Sequence, residues 1–499
     1  MFALLLACTE PAVTKVHEAS SGETIDPSDT DTDTTDSTAT TPTDVETVAV
    51  AHTRELRGFW VATVWNINFP SDSNLSVSAA LGEIDALVDA VASAHGNAIF
   101  FQVRPEGDAL YASELEPWSR YLTGTQGEDP GYDPLAELVD RAHARGIEVH
   151  AWLNPYRAKA DDGSTAVAPH AAVEWPQYMV PYDGLLWMDP GAAPIRERAV
   201  AVVADLCDRY AIDGIHFDDY FYPYPDGTDF DDDGTWSAYQ SGGGGGSRED
   251  WRRDNVNQLV EDVAATVAAH RDDVRFGIAP FGIYRPGQPA GITGLDQYAE
   301  LFSDPVAWTE AGWLDYLSPQ LYWTHDDSGQ EFEPLLEWWV QLPTAGQYTF
   351  PGIYLSKLGD SGWDLDEFDT QIALTRAQSA AGAQGAVYYN TQPISDNEQG
   401  VTSRFASDWY ATPAASPVLV SAAGATVAAP TVVETESGVS LTHARAIRYW
   451  GVYAENGSAW TLDRLVPAAE SSVTLGAGTW AVSAIDTRGV ESRGVVVRR

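Results

Sequence analysis

The stretch DGIHFDDYFYP, residues 213–223, decides how the chain folds. Ile215 and Phe217 are core residues by type. His216, Asp218 and Tyr220 alternate with them at the period of two that a β-strand imposes. The run begins as a buried strand and ends in two adjacent aspartates and several tyrosines. A carboxylate inside a core costs free energy unless it is paired or does chemistry. Such a strand fits a sheet whose ends open onto a polar site.

The same form recurs on both sides of it. From residue 54 to about residue 410 a short apolar strand is followed by a polar loop and an amphipathic helix. The strand candidates are LRGFWVATVW, NAIFFQVRP, EVHAWLNPY, DGIHFDDYFY, RFGIAPFGIY, YLSPQLYW, TFPGIYLSK and GAVYYNTQP. Helical patterns such as ALGEIDALVDAVASAHG, DPLAELVDRAHARG and IRERAVAVVADLCDRYA lie between several of them. Strands alternating with helices imply a parallel sheet. Eight such units predict an α/β fold, a (β/α)8 TIM barrel with large loops, over residues 53–411. A doubly wound open sheet ranks lower, because no Gly-rich phosphate loop follows the first strand.

In a barrel the C-terminal strand ends converge on one mouth. Here they carry Gln102, Arg104, Asn154, Arg157, Asp218, Asp219, Arg285, Gln320, Tyr322, Lys357, Tyr388 and Asn390. Arg104, Arg157, Arg285 and Lys357 could neutralise local carboxylates or receive an anionic group of a substrate. Trp65, Trp152, Tyr156, Tyr220, Tyr222, Tyr322, Trp323 and Trp363 sit at or just past strand ends. Sugar rings stack on such side chains, so the mouth points to a polysaccharide.

Composition narrows the partners. With 73 acidic against 28 basic residues the net charge is −45, which argues against nucleic acid, whose phosphates need a basic surface. Cys207 falls in a helical pattern and reads as a buried core residue, whereas Cys8 ends the run Leu5-Leu6-Ala7-Cys8. That run resembles a bacterial lipobox, although the apolar stretch before it is short and carries no basic residue. It implies a signal peptide over 1–8, a lipid on Cys8 and attachment to a membrane of the cell envelope. Residues 9–52 are rich in Thr, Asp, Ser and Pro and read as a disordered tether. Asp229, Asp231, Asp233 and Gly234 fit the start of a Ca²⁺ loop, but Gln240 stands where the bidentate Glu is required, so no metal or other cofactor is assigned. The pentaglycine 242–246 reads as a flexible lid. Residues 412–499 show short alternating strands and predict a small all-β sandwich. Its ending, WAVSAIDTRGVES, resembles a fibronectin type III domain.

The motifs ELRGFWVATVWNINFPS, FQVRPEGDALYASELEPWSRYLTG, GIEVHAWLNPYR, RYAIDGIHFDDYFYP, DWRRDNVN and YLSPQLYW resemble the bacterial glycosyl hydrolase-like 10 family over residues 53 to about 400. The resemblance implies a (β/α)8 barrel in an envelope protein that cleaves peptidoglycan glycan strands. Glu106 departs from the family's RPAGDALY pattern and adds an acid near the mouth. The end of the fourth strand also resembles the α-amylase-like clan, which makes Asp218 the catalytic Asp. In chitinase-type barrels the catalytic Glu falls at the position of Tyr220, so that mechanism does not transfer.

Strand parity turns His216, Asp218 and Tyr220 to the barrel axis. Asp218 is then the candidate nucleophile or general base. Asp219, also a catalytic candidate, should point away and hold a loop or a base such as Arg157, and Asp213 should fix the preceding turn. Glycoside hydrolysis usually needs two carboxyls. Asp108, in the family's GDALY run, is the first choice for the second, with Glu106, Asp326, Asp327 and Asp360 as alternatives. His216 could tune Asp218, bind a hydroxyl or be a structural hydrogen-bond partner. Substrate contacts are expected from Gln102, Arg104, Trp152, Asn154, Arg157, His216, Tyr220, Arg285, Gln320, Tyr322, Lys357 and Asn390. The competing readings are a catalytically inactive glycan-binding lipoprotein and a lyase or metal-dependent barrel enzyme.

Overall fold

A computed structural model describes residues 45–161 and 163–499. Cys8 and residues 9–44 lie outside the described residues.

The strands form where the apolar runs placed them: β1 Leu56–Val61, β2 Ala98–Arg104, β3 Glu148–Leu153, β4 Gly214–Phe217, β5 Arg275–Ile278, β6 Tyr316–Leu317, β7 in two halves Tyr348–Thr349 and Gly352–Ile353, and β8 Gly385–Tyr388. Each pairs in parallel with the next from β1 to β5. Then β5 pairs with β6, and β6 with the first half of β7. The second half of β7 pairs with β8, which returns to β1. Pro351 separates the halves of β7 because it has no N–H to donate. The ladder bridges the gap, with Phe350 N–H donating to Leu317 O at 2.8 Å and Val387 N–H to Pro351 O at 3.1 Å. The ring of eight parallel strands is thereby closed.

The pleat sorts the side chains into two cores. Leu56, Trp60, Phe100, Tyr316, Phe350 and Val387 fill the barrel. Phe59, Val61, Ile99, Phe101, Ile215 and Phe217 face outward under the helices. Helix Val77–Ser93 covers part of that layer with Ile84, Leu87, Val88 and Val91, spaced at i, i+3, i+4 and i+7. Ser76 begins it by accepting from Ala79 N–H at 3.2 Å. Cys207 is buried in helix Ala193–Arg209, as read.

The last ninety residues form two antiparallel sheets. One contains β9 Thr431–Glu434, β10 Gly438–Thr442 and β13 Ser472–Thr474. The other contains β11 Ile447–Asn456, β12 Ala459–Pro467, β14 Thr479–Asp486 and β15 Gly494–Arg498. Val439, Leu441, Trp450, Val452, Val482 and Val497 pack between them. Thr47–Val48 adds an edge strand against β15, and His52 bonds Tyr453 at 2.7 Å. The described end of the expected tether, residues 45–52, is therefore ordered, because β15 offers an open sheet edge to it.

The sandwich docks on the end of the barrel where the strands begin. Arg448 bonds Asp213 and stands 3.7 Å from Glu148. Arg275 is also 3.7 Å from Glu148, and Tyr449 bonds Gly146 O. Burial works to raise the Glu148 carboxyl, but Arg275, His150 and Arg448 outweigh it and bring it to about 2. Asp213 also accepts Val149 N–H at 2.7 Å, so the residue expected to fix a turn joins the two domains as well.

Candidate active site

At the opposite end, where the strands finish, the barrel opens into a cavity of about 480 Å³. Trp60, Ala62, Trp65, Gln102, Trp152, Arg157, Asp218, Asp219, Tyr220, Gln320, Tyr322, Tyr354 and Tyr389 are among its lining residues. Asp218 and Asp219 are the carboxylates and Arg157 the cation among the described residues that line it.

Asp218 faces inward, as strand parity requires. It accepts from Trp152 Nε1 at 3.0 Å, Asn154 Nδ2 at 2.5 Å and Tyr220 N–H at 3.2 Å. The Asn154 amide has one orientation available. Its Oδ1 accepts from Gln102 Nε2 at 2.7 Å and from Arg157 Nη2 at 2.9 Å, so its NH₂ must face Asp218. Gln102 is fixed in turn by Thr63 and Val64 N–H, at 2.9 and 3.0 Å. Asn154 is buried and makes no part of the lining, so it positions Asp218 rather than meeting a ligand.

Asp219 corrects the sequence reading, which turned it away from the mouth. Strand β4 ends at Phe217, so the alternation no longer governs residue 219. Asp219 accepts from Tyr224 OH and from Gln320 Nε2 at 3.0 Å, and it shares the cavity with Asp218. Burial first, and then the charge of Asp219, pushes the Asp218 carboxyl up to about 7, against the pull of Arg157. Burial likewise raises Asp219. Two buried carboxyls this close cannot both ionise cheaply, so the pair holds one proton into the neutral range, and the titration belongs to both.

Asp108 is not brought to the cavity. It is fully buried beneath the loop after β2, where it accepts Glu106 N–H at 3.2 Å. Burial, followed by the charge of Glu106, pushes its carboxyl up to about 7. Glu106 bonds Arg120 at 2.8 Å, and Arg120 lies 5.6 Å from the Trp65 ring. The acid that departs from the family pattern thus supports the aromatic rim. Asp326, Asp327 and Asp360 are also absent from the lining.

Several expected substrate contacts have other work. Arg104 is buried against Glu116, with Nε 2.7 Å from its carboxylate. Arg285 stands 3.4 Å from Asp296 and Lys357 3.2 Å from Asp360. Asn390 accepts from Gln392 N–H at 3.0 Å. None of the four lines the cavity, because each already has a neighbour that satisfies it. His216 sits below the mouth. Its Nε2 accepts from Trp60 Nε1 at 3.1 Å and its Nδ1 donates to Tyr316 OH, 3.0 Å away. From Tyr316 the chain continues to His150 at 3.1 Å and Glu148 at 3.3 Å, down the barrel axis. Burial, with the charge of His150 second, drives His216 well below its ordinary value and keeps it neutral. Its role is structural.

Of the aromatic candidates, Trp65, Trp152, Tyr220 and Tyr322 reach the cavity, whereas Tyr156, Tyr222 and Trp363 are buried under the helices and Trp323 packs, partly buried, against the same layer; Tyr388, at the end of β8, is buried there too. Trp65 is 56% exposed and stands with Asn66 in the left-handed backbone region, at φ 56° and 54°. A non-glycine residue held there is strained, a pattern frequent at ligand sites. Sequence reasoning missed Trp60, Tyr354 and Tyr389. The Ca²⁺-like run 229–234 is taken up by arginines: Asp232 bonds Arg252 at 2.8 Å, and Asp229 bonds Arg252 at 3.0 Å. The glycines 242–246 join helices Asp233–Ser241 and Arg248–His270, away from the lining.

The model of the glycosyl hydrolase-like 10 family matches residues 55–350. The chain is similar to glycosyl hydrolase YngK of Bacillus subtilis (strain 168), with 36% identity over 377 residues and 73% of each chain covered. It is also similar to glycosyl hydrolase DigH of Escherichia coli (strain K12), with 35% identity over 331 residues covering 62% of this chain and 75% of that one. Among solved structures it is similar to the glycoside hydrolase domain of PgaB (BpsB) from Bordetella bronchiseptica, with a TM-score of 0.46, 12% identity, and coverage of 70% of this chain and 98% of that one. With the family model matched over more than half of the chain, the chain belongs to the glycosyl hydrolase-like 10 family.

Proposed function

We infer that the protein hydrolyses a glycosidic bond in an amino-sugar polysaccharide, with peptidoglycan glycan strands as the substrate class. One observation carries this reading: two buried, consecutive carboxyls stand together in one aromatic-lined cavity at the mouth of the barrel, where burial works to raise both. Hydrolysis needs an acid to protonate the leaving oxygen and a carboxylate to stabilise the positive charge at the sugar carbon. A pair holding one proton supplies both states at once. A pocket that only held glycan would have no use for the cost of burying both groups. Arg157 supplies a positive charge for an anionic substituent, such as the carboxylate of a muramic acid residue, inside a strongly acidic protein. The lipobox-like run ending at Cys8 supports placement at the cell envelope. Radiolabelled palmitate should enter the wild type and not Cys8→Ser; absence of label from the wild type would remove the anchor.

The activity test incubates peptide-free glycan strands with wild type and Asp218→Asn. Wild type should release fragments whose masses include one added water, and the variant should be slower by at least about 100-fold. Fragments lacking that water would indicate a lyase. Equal rates in the two proteins would remove Asp218 from the chemistry.

A further inference from the structure

Resting on that hydrolase reading, we propose that the nucleophile comes from the substrate: the cavity takes a sugar bearing a 2-acetamido group, whose carbonyl oxygen attacks the anomeric carbon. The ordinary two-carboxyl arrangements place acid and nucleophile, or acid and base, on opposite faces of the sugar, about 5–5.5 or 6.5–9.5 Å apart. Here both carboxyls leave the end of one strand at consecutive positions. The wall formed by β1, β7 and β8 contributes Trp60, Ala62, Trp65, Tyr354 and Tyr389, and no acid among the described residues. A carboxylate facing the pair across a sugar ring is therefore missing, while the pair itself is complete.

The hydrogen bonds divide the labour within the pair. Asp218 is held by three N–H groups, from Trp152, Asn154 and Tyr220, and none of these can become an acceptor. That shell favours a carboxylate. Asp219 is held by Gln320 and by the hydroxyl of Tyr224, which can rotate to accept a proton. The shared proton belongs on Asp219.

In the first step the acetamido oxygen bonds to C1 and the C1–O bond to the leaving sugar breaks. The leaving oxygen takes the proton of Asp219. The resulting oxazolinium ring carries its N–H and positive charge against the Asp218 carboxylate. In the second step Asp219, now ionised, accepts a proton from water as that water bonds to C1. The C1–O bond of the ring breaks and the acetamide re-forms, with configuration retained. Tyr322 lines the cavity, and its hydroxyl can donate to the acetamide oxygen. Ala62 and Ala279 leave room in the lining for the methyl group.

The test uses the full chain and peptide-free glycan strands, native and chemically de-N-acetylated, with an N-acetylglucosamine thiazoline as a stable mimic of the ring. Native strands should be cut with retention at C1, and the thiazoline should inhibit competitively. De-N-acetylated strands should be cut at least about 1000-fold more slowly, since loss of an intramolecular nucleophile forfeits a large effective concentration. Replacing acetyl by mono-, di- and trifluoroacetyl should lower kcat stepwise as the carbonyl weakens, which a loss of recognition alone would not do. Cutting of native strands with inversion, or equal cutting of de-N-acetylated strands, would overturn the neighbouring-group step and leave the hydrolase reading standing. No cutting of any strand would overturn both.

Discussion

The aspartate pair costs the fold stability, and that cost can be measured. Burial and mutual repulsion push Asp218 up to about 7 and raise Asp219 with it, against roughly 3.9 in an unfolded chain. Above pH 7 both carboxyls are ionised in either state and the fold carries the full penalty of the two buried charges. Between pH 7 and about pH 4 the folded pair takes up a proton that the unfolded chain does not, so the pair's contribution improves as pH falls. Asp219→Asn removes one charge, and its amide oxygen can accept from Gln320 while its NH₂ donates to the Tyr224 hydroxyl. It should unfold at higher denaturant concentration than wild type at pH 8, by about 1–2 kcal/mol, and lose most of that advantage at pH 5. A variant less stable than wild type at both values would mean that the carboxylate is stabilised where it stands. Trp65 gives a second expectation. It reaches the cavity through strained backbone and has Arg120 beside it, which suits a ring that stacks on sugar. Trp65→Ala should raise KM for long strands by about tenfold with little change in kcat; an unchanged KM would make it rim packing.

The elements show how far pattern reasoning reached. The strands were legible because each is an apolar run bounded by polar residues, and even β7, split by Pro351, kept its place. Parity also worked as far as the pleat did: it turned His216 and Asp218 inward and Phe217 outward. It failed at Asp219 because β4 stops two residues earlier. Trp60 could have been found, since Gly58, Trp60 and Ala62 alternate, but inside the continuous apolar run LRGFWV an inward and an outward aromatic look alike. Tyr389 follows the last residue of β8, where the count of two has lapsed. Asp108 was misplaced for a different reason. A family run says which residues recur, not which way a loop folds, and the loop after β2 closes over that side chain. The bases were ambiguous for want of long-range partners: Glu116 and Asp296 lie 12 and 11 residues from Arg104 and Arg285.

Across the whole molecule, the sandwich and the cavity occupy opposite ends of the barrel. The accessory domain closes the end where strands begin, through a buried group of charges: Glu148, Asp213, Arg275 and Arg448. The axial chain from Trp60 through His216, Tyr316 and His150 ends at Glu148 in that group. Arg448→Ala leaves Asp213 and Glu148 short of their partner. It should cost about 3–5 kcal/mol of unfolding free energy, while KM measured on the folded fraction stays unchanged. A neutral effect on stability would mean that water enters the interface freely. The pairing of Asp218 with Asp219 in the cavity is tested most directly by the rate of fragment release from peptide-free glycan strands, per folded molecule, for Asp218→Asn, Asp219→Asn and Asp108→Asn. The first two should lose at least about 100-fold and the third should stay within a few-fold of wild type. Loss of activity in Asp108→Asn together with an active Asp219→Asn would contradict the pairing of Asp218 with Asp219.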